Sequence, residues 1–239
     1  KITMSGDDTK LLTGIIPYSE KRTGYKSRLA GLHPSLSAKD ITPEGLGFKV
    51  NGIDFLSDGT MVIAAWDARG SVYLLTNPDG KREDMKLTRF ASGLHEPLGV
   101  CVVNDEIYVQ QKQELTRLKD TNKDGTCDTF ECVSNAWDVS SNFHEFTFGP
   151  LYKDGHFYSA LAIAVNPGGA TTQPQQKDRG CLIKINPKSG EYEVLSAGFR
   201  TPNGLGLTAD GQDILIADNQ GDYLPASKIL LATKGQFFN

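Results

Sequence analysis

Strand pairs joined by short acidic or glycine turns, recurring about every fifty residues, predict an all-β protein built of small antiparallel sheets. Three observations carry this reading. Turn centres at Asp58, Asp105, Asp154 and Asp210 are 47, 49 and 56 residues apart. Glycine contributes 25 of 239 residues, as expected where many short elements meet at tight turns. No stretch holds apolar residues at helical spacing through three turns, which argues against a helical repeat. A period of this length with several strands per unit is that of a β-propeller, here with four blades.

Each unit opens with two apolar strands flanking its turn. They run from Gly52 to Ala64, Gly99 to Val109, Phe146 to Tyr158 and Gly204 to Ile216. Asp-Gly and Asn-Asp favour the positive φ of two-residue hairpin turns, and the flanks are β-branched or apolar. Outer strands are expected at Ser71–Leu75, Leu115–Leu118 and Cys181–Ile185. The blades then occupy about 41–90, 91–138, 139–197 and 198–239, the last being partial and ending before its outer strands. Residues 1–40, mixed in charge and without periodicity, read as an extended N-terminal arm.

Composition excludes several functions. With 25 Lys+Arg against 29 Asp+Glu, the net charge of −4 provides no basic face for nucleic acid. No apolar run approaches the roughly 20 residues of a membrane span. Acidic residues soon follow Lys1-Ile2-Thr3-Met4, so the chain reads as processed or trimmed. The four cysteines include no C-x-x-C-H haem attachment motif. Cys127 and Cys132 either bridge a hairpin in an oxidising compartment or, with Cys101 and Cys181, act as small apolar residues.

A second repeat precedes two of the hairpins. Ser92–Val100 aligns without gaps on Ala197–Leu205, which places His95 and Arg200 at equivalent blade entries. The third blade enters through His144-Glu145. His95, His144, Arg200, Glu96 and Glu145 then converge on one polar pocket, or merely anchor loops. The polar stretch Asn166–Gly180 either lines that funnel or is a surface excursion. Trp66 and Trp137 are read as inter-blade packing in preference to sugar-stacking platforms.

Residues 120–131 fit D-x-[DN]-x-[DN]-G-x5-E at every specified position. Asp120, Asn122 and Asp124 offer side-chain oxygens, Thr126 a carbonyl, Asp128 a direct or water-mediated ligand, and Glu131 a bidentate carboxylate for Ca2+. The bland alternative is a polar hairpin with solvated acids. Such a site between two strands would be structural.

Gly198–Leu205 resembles the G-[LF]-R-N-P-x-G-[LI] motif of the glucose/sorbosone dehydrogenase family, six-bladed propellers dependent on pyrroloquinoline quinone (PQQ). His144, Asp154, Gly155 and Tyr158 keep the spacing of that family's H-x-G-G-x-L-x-F-G-P-D-G-x-L-Y. Residues 217–222 resemble its E-Q-G-P stretch, and Lys234–Asn239 its K-G-G-N-Y-G. Strings such as Asp218-Asn219-Gln220-Gly221-Asp222 are similar to a sorbosone-dehydrogenase-like branch of secreted bacterial proteins. The departures are Thr201 for Asn, Phe146-Thr147 for Gly-Gly and Asp222 for Pro.

This resemblance implies a secreted or periplasmic oxidoreductase acting on a small sugar, often fused to or partnered with a haem or other electron-acceptor domain. His144 corresponds to the general base, and Arg200 to the cation beside the reacting quinone carbonyl. Gln220, with Asn203 and Thr201, falls at the cofactor contacts, while Gly221 and Asp222 fall at a second Ca2+ position. A non-catalytic carbohydrate- or protein-binding propeller, and a lyase or hydrolase using His95 and His144, are the alternatives. A six-bladed ring needs roughly 100 further residues at this repeat length, so the chain is expected to be incomplete.

Overall fold

The computed structural model describes residues 38–42, 48–221 and 225–238. Two compact units are present, residues 1–41 and 42–239. The first contributes only residues 38–41 to the described set, without regular structure, so the expected arm lies almost wholly outside it.

The second unit is built of four antiparallel sheets of a β-propeller, as the repeat predicts. The first contains β1 (Lys49–Phe55), β2 (Met61–Trp66), β3 (Ser71–Thr76) and β4 (Lys86–Ala91). The second contains β5 (Gly99–Val103), β6 (Glu106–Gln110), β7 (Leu115–Lys119) and β8 (Thr129–Ser134). The third contains β9 (Thr147–Lys153), β10 (His156–Leu161), β11 (Cys181–Ile185) and β12 (Tyr192–Ala197). The fourth contains β13 (Gly204–Leu207), β14 (Ile214–Asp218) and β15 (Lys228–Ala232). Within every sheet the strands pair in chain order. The apolar run Lys228–Ala232 pairs with β14 from Ile214↔Ala232 to Asp218↔Lys228, a third strand where the sequence reading ended the blade.

Two hairpins have the expected two-residue turns. Asn104 and Asp105, at φ 52° and 61°, join β5 to β6, and Asp154 and Gly155, at 50° and 76°, join β9 to β10. The other two are longer. Gly59 at φ 85° closes the loop between Leu56 and Thr60, and Gly211 at 71° sits between Thr208 and Asp213.

Alternation puts one face of each sheet against the next blade. Val62, Ala64 and Val72 meet Val100, Ile107, Val109 and Leu118. Cys101 and Leu115 meet Phe157, Leu161 and Ile183, while Tyr158, Ala160 and Leu182 meet Ile214 and Ile216. Each fully buried large aliphatic or aromatic side chain contributes about 1.5–3 kcal/mol relative to exposure.

The leading strands β1, β5, β9 and β13 lie side by side in succession. Their approach is too close for side chains at certain points. A Cβ on Gly52 would lie 2.8 Å from Gly99 Cα, and one on Gly99 would lie 1.7 Å from the Gly149 carbonyl oxygen. The connections following β7, β11 and β15 also reach the preceding blade's outermost strand. The Cys127 amide donates to the Phe90 carbonyl at 2.7 Å, and the Ser134 hydroxyl to the Gly190 carbonyl at 2.5 Å. The Ala197 amide donates to the Gln236 carbonyl at 3.0 Å.

Gly99→Ala is expected to destabilise the protein by about 2 kcal/mol or more, because backbone must move to admit the methyl group. Gly206→Ala, whose Cβ meets nothing within 4 Å, is expected to change stability by less than about 1 kcal/mol. Urea unfolding of the two variants compares them directly.

Candidate functional site

Antiparallel order places the loops entering β5, β9 and β13 at the same end of the sheets as the loops following β2, β6, β10 and β14. His144, Arg200 and Thr201 meet at this end. The His144 Nδ1 lies 2.8 Å from the Ile163 carbonyl oxygen, and its Nε2 lies 3.2 Å from Thr201 Oγ1. A carbonyl cannot donate, so Nδ1 carries the proton of the neutral ring. The Nε2 lone pair then accepts from the Thr201 hydroxyl and is the basic nitrogen.

Arg200 reaches the same hydroxyl. Its Nη1 lies 3.4 Å from Thr201 Oγ1, and its Nη2 donates to the Gly169 carbonyl at 2.9 Å. Thr201 therefore links the imidazole to the guanidinium, at the position where the family pattern has Asn. The turn is fixed from below by buried Asp218, whose carboxylate accepts from the Arg200 and Thr201 amides at 2.8–3.2 Å.

Asn142 sets the entry to β9. Its Oδ1 accepts from the His144 amide at 2.9 Å, while its Nδ2 donates to the Val165 carbonyl at 3.0 Å. Lys112, buried beside it, donates to the Asn142 carbonyl at 2.7 Å. The stretch Asn166–Gly180 is a closed excursion. Val165 bridges Thr171, and Gln175 holds both the amide and the carbonyl of Ala164 at 2.8 and 2.9 Å. Sequence reasoning missed Asp218, Asn142 and Lys112. Asn142, two residues before a histidine, carried the usual signal of an Asx-type turn.

Of the expected pocket residues, Glu145 is sealed and His95 makes contacts separate from those of His144. Glu145 is only 1% exposed, and its carboxylate accepts from the Ser140 amide at 2.5 Å. Its electrostatic partner is buried Arg179, which donates to the carbonyls of Asp138 and Phe146 at 2.7 and 3.1 Å. Burial draws the Arg179 guanidinium below its ordinary value, and the carboxylates of Glu145 and Asp138 act against that. Glu145 is thus a buried counter-charge to Arg179. His95 is exposed, and its Nδ1 lies 2.9 Å from Gln113 Oε1 and its Nε2 4.0 Å from Glu96. It shares no partner with His144.

An aromatic wall joins the two regions. The Phe146 ring centroid is 5.4 Å from that of His144 and 6.0 Å from that of Trp66. Trp66 is 44% exposed, whereas Trp137 is buried as expected, donating to the Lys112 carbonyl at 2.9 Å.

Asn203 and Gln220 are exposed near this turn, and the Asn219 amide donates to the Thr201 carbonyl at 3.2 Å. Gly221 is half-buried, and Asp222 lies outside the described residues. The Arg200 guanidinium beside an aromatic wall suits a planar anionic group, and the His144 Nε2 lone pair suits a hydroxyl donor.

The acidic loop is ordered by its own amides. Asp128 accepts from the Thr121 amide and hydroxyl at 2.6 Å, and Asp120 accepts from the Gly125 amide at 2.8 Å. Asp124 accepts from the Thr126 amide at 2.8 Å and the Asn122 side-chain amide at 3.2 Å. Glu131 corrects the sequence expectation. It lies on β8 opposite Arg117, and its carboxylate pairs with Lys119 at 2.5 Å and Arg117 at 3.5 Å. The chain is already extended there, which carries the side chain to the cross-strand cations. Among the described residues, no three His, Cys, Asp or Glu side chains group as a metal site.

The cysteines are free thiols, so Cys127 and Cys132 do not bridge. Cys101 and Cys181 are buried, and burial, with nearby carboxylates of Asp54 and Asp178 respectively, pushes them up to about 12 and about 11. At pH 8 a thiol-disulfide reagent is expected to modify exposed Cys132 first. Cys101 and Cys181 are expected to react only on unfolding. Timed mass spectrometry of the labelled protein checks the order.

Residues 54–232 match the model of a domain of unknown function, DUF7133, and the chain belongs to that family. No curated protein matches the sequence. Among solved structures, the iodide form of the Trichoderma reesei protein of carbohydrate-active enzyme family AA12 is similar at TM-score 0.61 and 13% identity, covering 79% of this chain and 55% of that one. A Thermus thermophilus protein provisionally named an oxidoreductase (glucose dehydrogenase) is similar at TM-score 0.59 and 18% identity, over 81% of this chain and 65% of that one. The holo PQQ domain of Coprinopsis cinerea pyranose dehydrogenase is similar at 0.57 and 13%, over 77% and 51%. The chain thus spans about half to two thirds of the length of these proteins, and the likeness establishes the propeller fold. Among the described residues, no helix is long and apolar enough to cross a membrane.

Proposed function

We propose that this chain forms part of a quinone-dependent sugar oxidoreductase, with His144 as general base. The observation that carries the reading is the basic His144 Nε2, linked through the Thr201 hydroxyl to the Arg200 guanidinium. The Trichoderma reesei and Coprinopsis cinerea proteins, a carbohydrate-active enzyme and a pyranose dehydrogenase, support it through the shared fold.

In this reading His144 Nε2 takes the proton of the hydroxyl on the sugar's anomeric carbon, and the hydride from that carbon would pass to the two-electron acceptor. The Ile163 carbonyl keeps Nδ1 protonated, so the accepting nitrogen is fixed. Arg200 supplies a fixed positive charge where negative charge develops. Asp218 holds that turn rigid through two amides, so the charge need not reorganise. Thr201, Asn203, Gln220 and the Gly221 carbonyl are the groups that would hold the cofactor and its Ca2+, and Asp222, outside the described residues, is a further candidate ligand. PQQ, when bound, supplies a two-electron acceptor. An external acceptor, such as a fused or partner haem domain, would take the electrons onward, and a secreted or periplasmic setting fits this reading.

With PQQ and Ca2+ added, the protein is expected to reduce an artificial dye in the presence of an aldose. His144→Ala is expected to lower the rate by roughly 10²–10⁴-fold. Absence of dye reduction across aldoses, or full activity in His144→Ala, would sink the reading.

A separate structural Ca2+ is proposed at the loop of Asp120, Asn122, Asp124, Thr126 and Asp128. Its support is the Asp120-x-Asn122-x-Asp124-Gly125 spacing and the hydrogen bonds that hold Asp120, Asn122, Asp124 and Asp128 in one turn. Added Ca2+ is expected to raise the thermal midpoint by a few degrees, Asp124→Asn to abolish the shift, and a chelator to reverse it. Differential scanning calorimetry measures it.

A further inference from the structure

A cavity of about 440 Å3 lies between the loop that follows β2 and the loop that enters β5, at the same end of the sheets as His144. Its lining includes Trp66, Asp67, Arg69, His95 and Glu96. Three features distinguish it from a surface crevice. Trp66 presents 44% of its surface and meets Phe146 edge-on, and Phe146 in turn meets His144, so an unbroken aromatic wall runs from the cavity to the imidazole.

The second feature is Glu96. Its Oε1 lies 4.0 Å from His95 Nε2, but its Oε2 is buried and has no hydrogen-bond partner among the described residues. A buried carboxylate oxygen without a donor is costly, so the Glu96 carboxylate is under-satisfied, and a hydroxyl donated to its exposed part from the cavity would offset this. Asp67 does not compete for that role. Its carboxylate already accepts from the Tyr73 hydroxyl and the Arg69 amide, each at 2.9 Å.

The third feature is backbone strain. Glu96 sits at φ 50°, a left-handed conformation that non-glycine residues rarely adopt. Its mate in the entry repeat, Thr201, is absent from the positive-φ residues among those described, although Gly93 and Gly198, three residues earlier in each copy, match at 89° and 90°. Blade geometry does not demand the strain, since the equivalent entry avoids it. The strain places the carboxylate beside the cavity.

We infer that this cavity is a saccharide subsite, in which a pyranose ring stacks on Trp66 and donates a hydroxyl to Glu96. An aromatic face for the C–H side of a sugar and a polar rim for its hydroxyls is the chemistry that recognises this class. The inference rests on the sugar reading of the His144 end and sharpens it. The substrate is an oligosaccharide whose terminal unit lies at His144 and whose further unit lies at Trp66.

The test uses the purified chain with glucose and four trisaccharides: cellotriose, maltotriose, xylotriose and chitotriose. Binding is measured by calorimetry and by tryptophan fluorescence. Trp66 and Trp137 are the two tryptophans, and Trp137 is 3% exposed, so a ligand-dependent emission change reports Trp66. At least one trisaccharide is expected to bind roughly tenfold more tightly than glucose and to shift the emission. Trp66→Ala and Glu96→Gln are each expected to collapse that preference. Glu96→Gln conserves shape and keeps the test decisive if Trp66→Ala fails to fold by circular dichroism. No trisaccharide preference, or a preference that survives Glu96→Gln, overturns the inference. Preferential binding without any sugar oxidation overturns the proposed reaction and leaves the subsite standing. Oxidation of glucose without trisaccharide preference does the reverse.

Discussion

Backbone-to-backbone approach between successive leading strands is the constraint on which the rest of this structure depends. Gly52 against Gly99, and Gly99 against Gly149, bring neighbouring sheets close enough that no side chain fits between them. With the inner edges so near, the sheets splay outward, and the widening gaps are filled by the three apolar clusters. Buried polar contacts lock the same seam, as where the Ser159 hydroxyl donates to Gln110 Oε1 at 2.5 Å. The latches from Cys127 to Phe90 and from Ala197 to Gln236 then tie the outer edges.

This packing decides where chemistry can sit. The entries to β5, β9 and β13 turn at the same end, so residues far apart in the chain are delivered to one surface. His144 and Thr201 are separated by 57 positions yet share a hydrogen bond. Neither is held by its own strand alone. Asn142 pins the His144 turn to Val165, and Asp218 pins the Arg200–Thr201 turn to β14. These supporting groups direct their hydrogen bonds to backbone. The imidazole Nε2 and the guanidinium are thereby oriented by the scaffold, as a preorganised site requires.

Charge is handled by the same division. The Arg179 guanidinium is buried under the β9 entry with carbonyl acceptors and Glu145, so its role is to brace loops. Arg200, half-buried, is held instead between the Gly169 carbonyl and the Thr201 hydroxyl. Glu145 and Glu96 differ in a similar way. The first is nearly sealed and satisfied by Ser140, whereas the second borders a cavity with one oxygen unsatisfied.

The sequence alone determined the fold class and the leading hairpins, because a period-two apolar pattern around Asp-Gly or Asn-Asp turns is local chemistry. It also placed His95 and Arg200 at equivalent entries, since the glycines beside them need the same positive φ. The outermost strands β4, β8 and β12 were not legible, for they are half-exposed and their alternation is weak. Nor could spacing alone show that Glu131 faces Lys119 and Arg117, because that is decided by strand register. Glu145 and Glu96, each just after a histidine at a blade entry, look alike in the chain. Only the tertiary structure buries one against Arg179 and sets the other beside Trp66, because burial and partners are properties of the neighbouring blades.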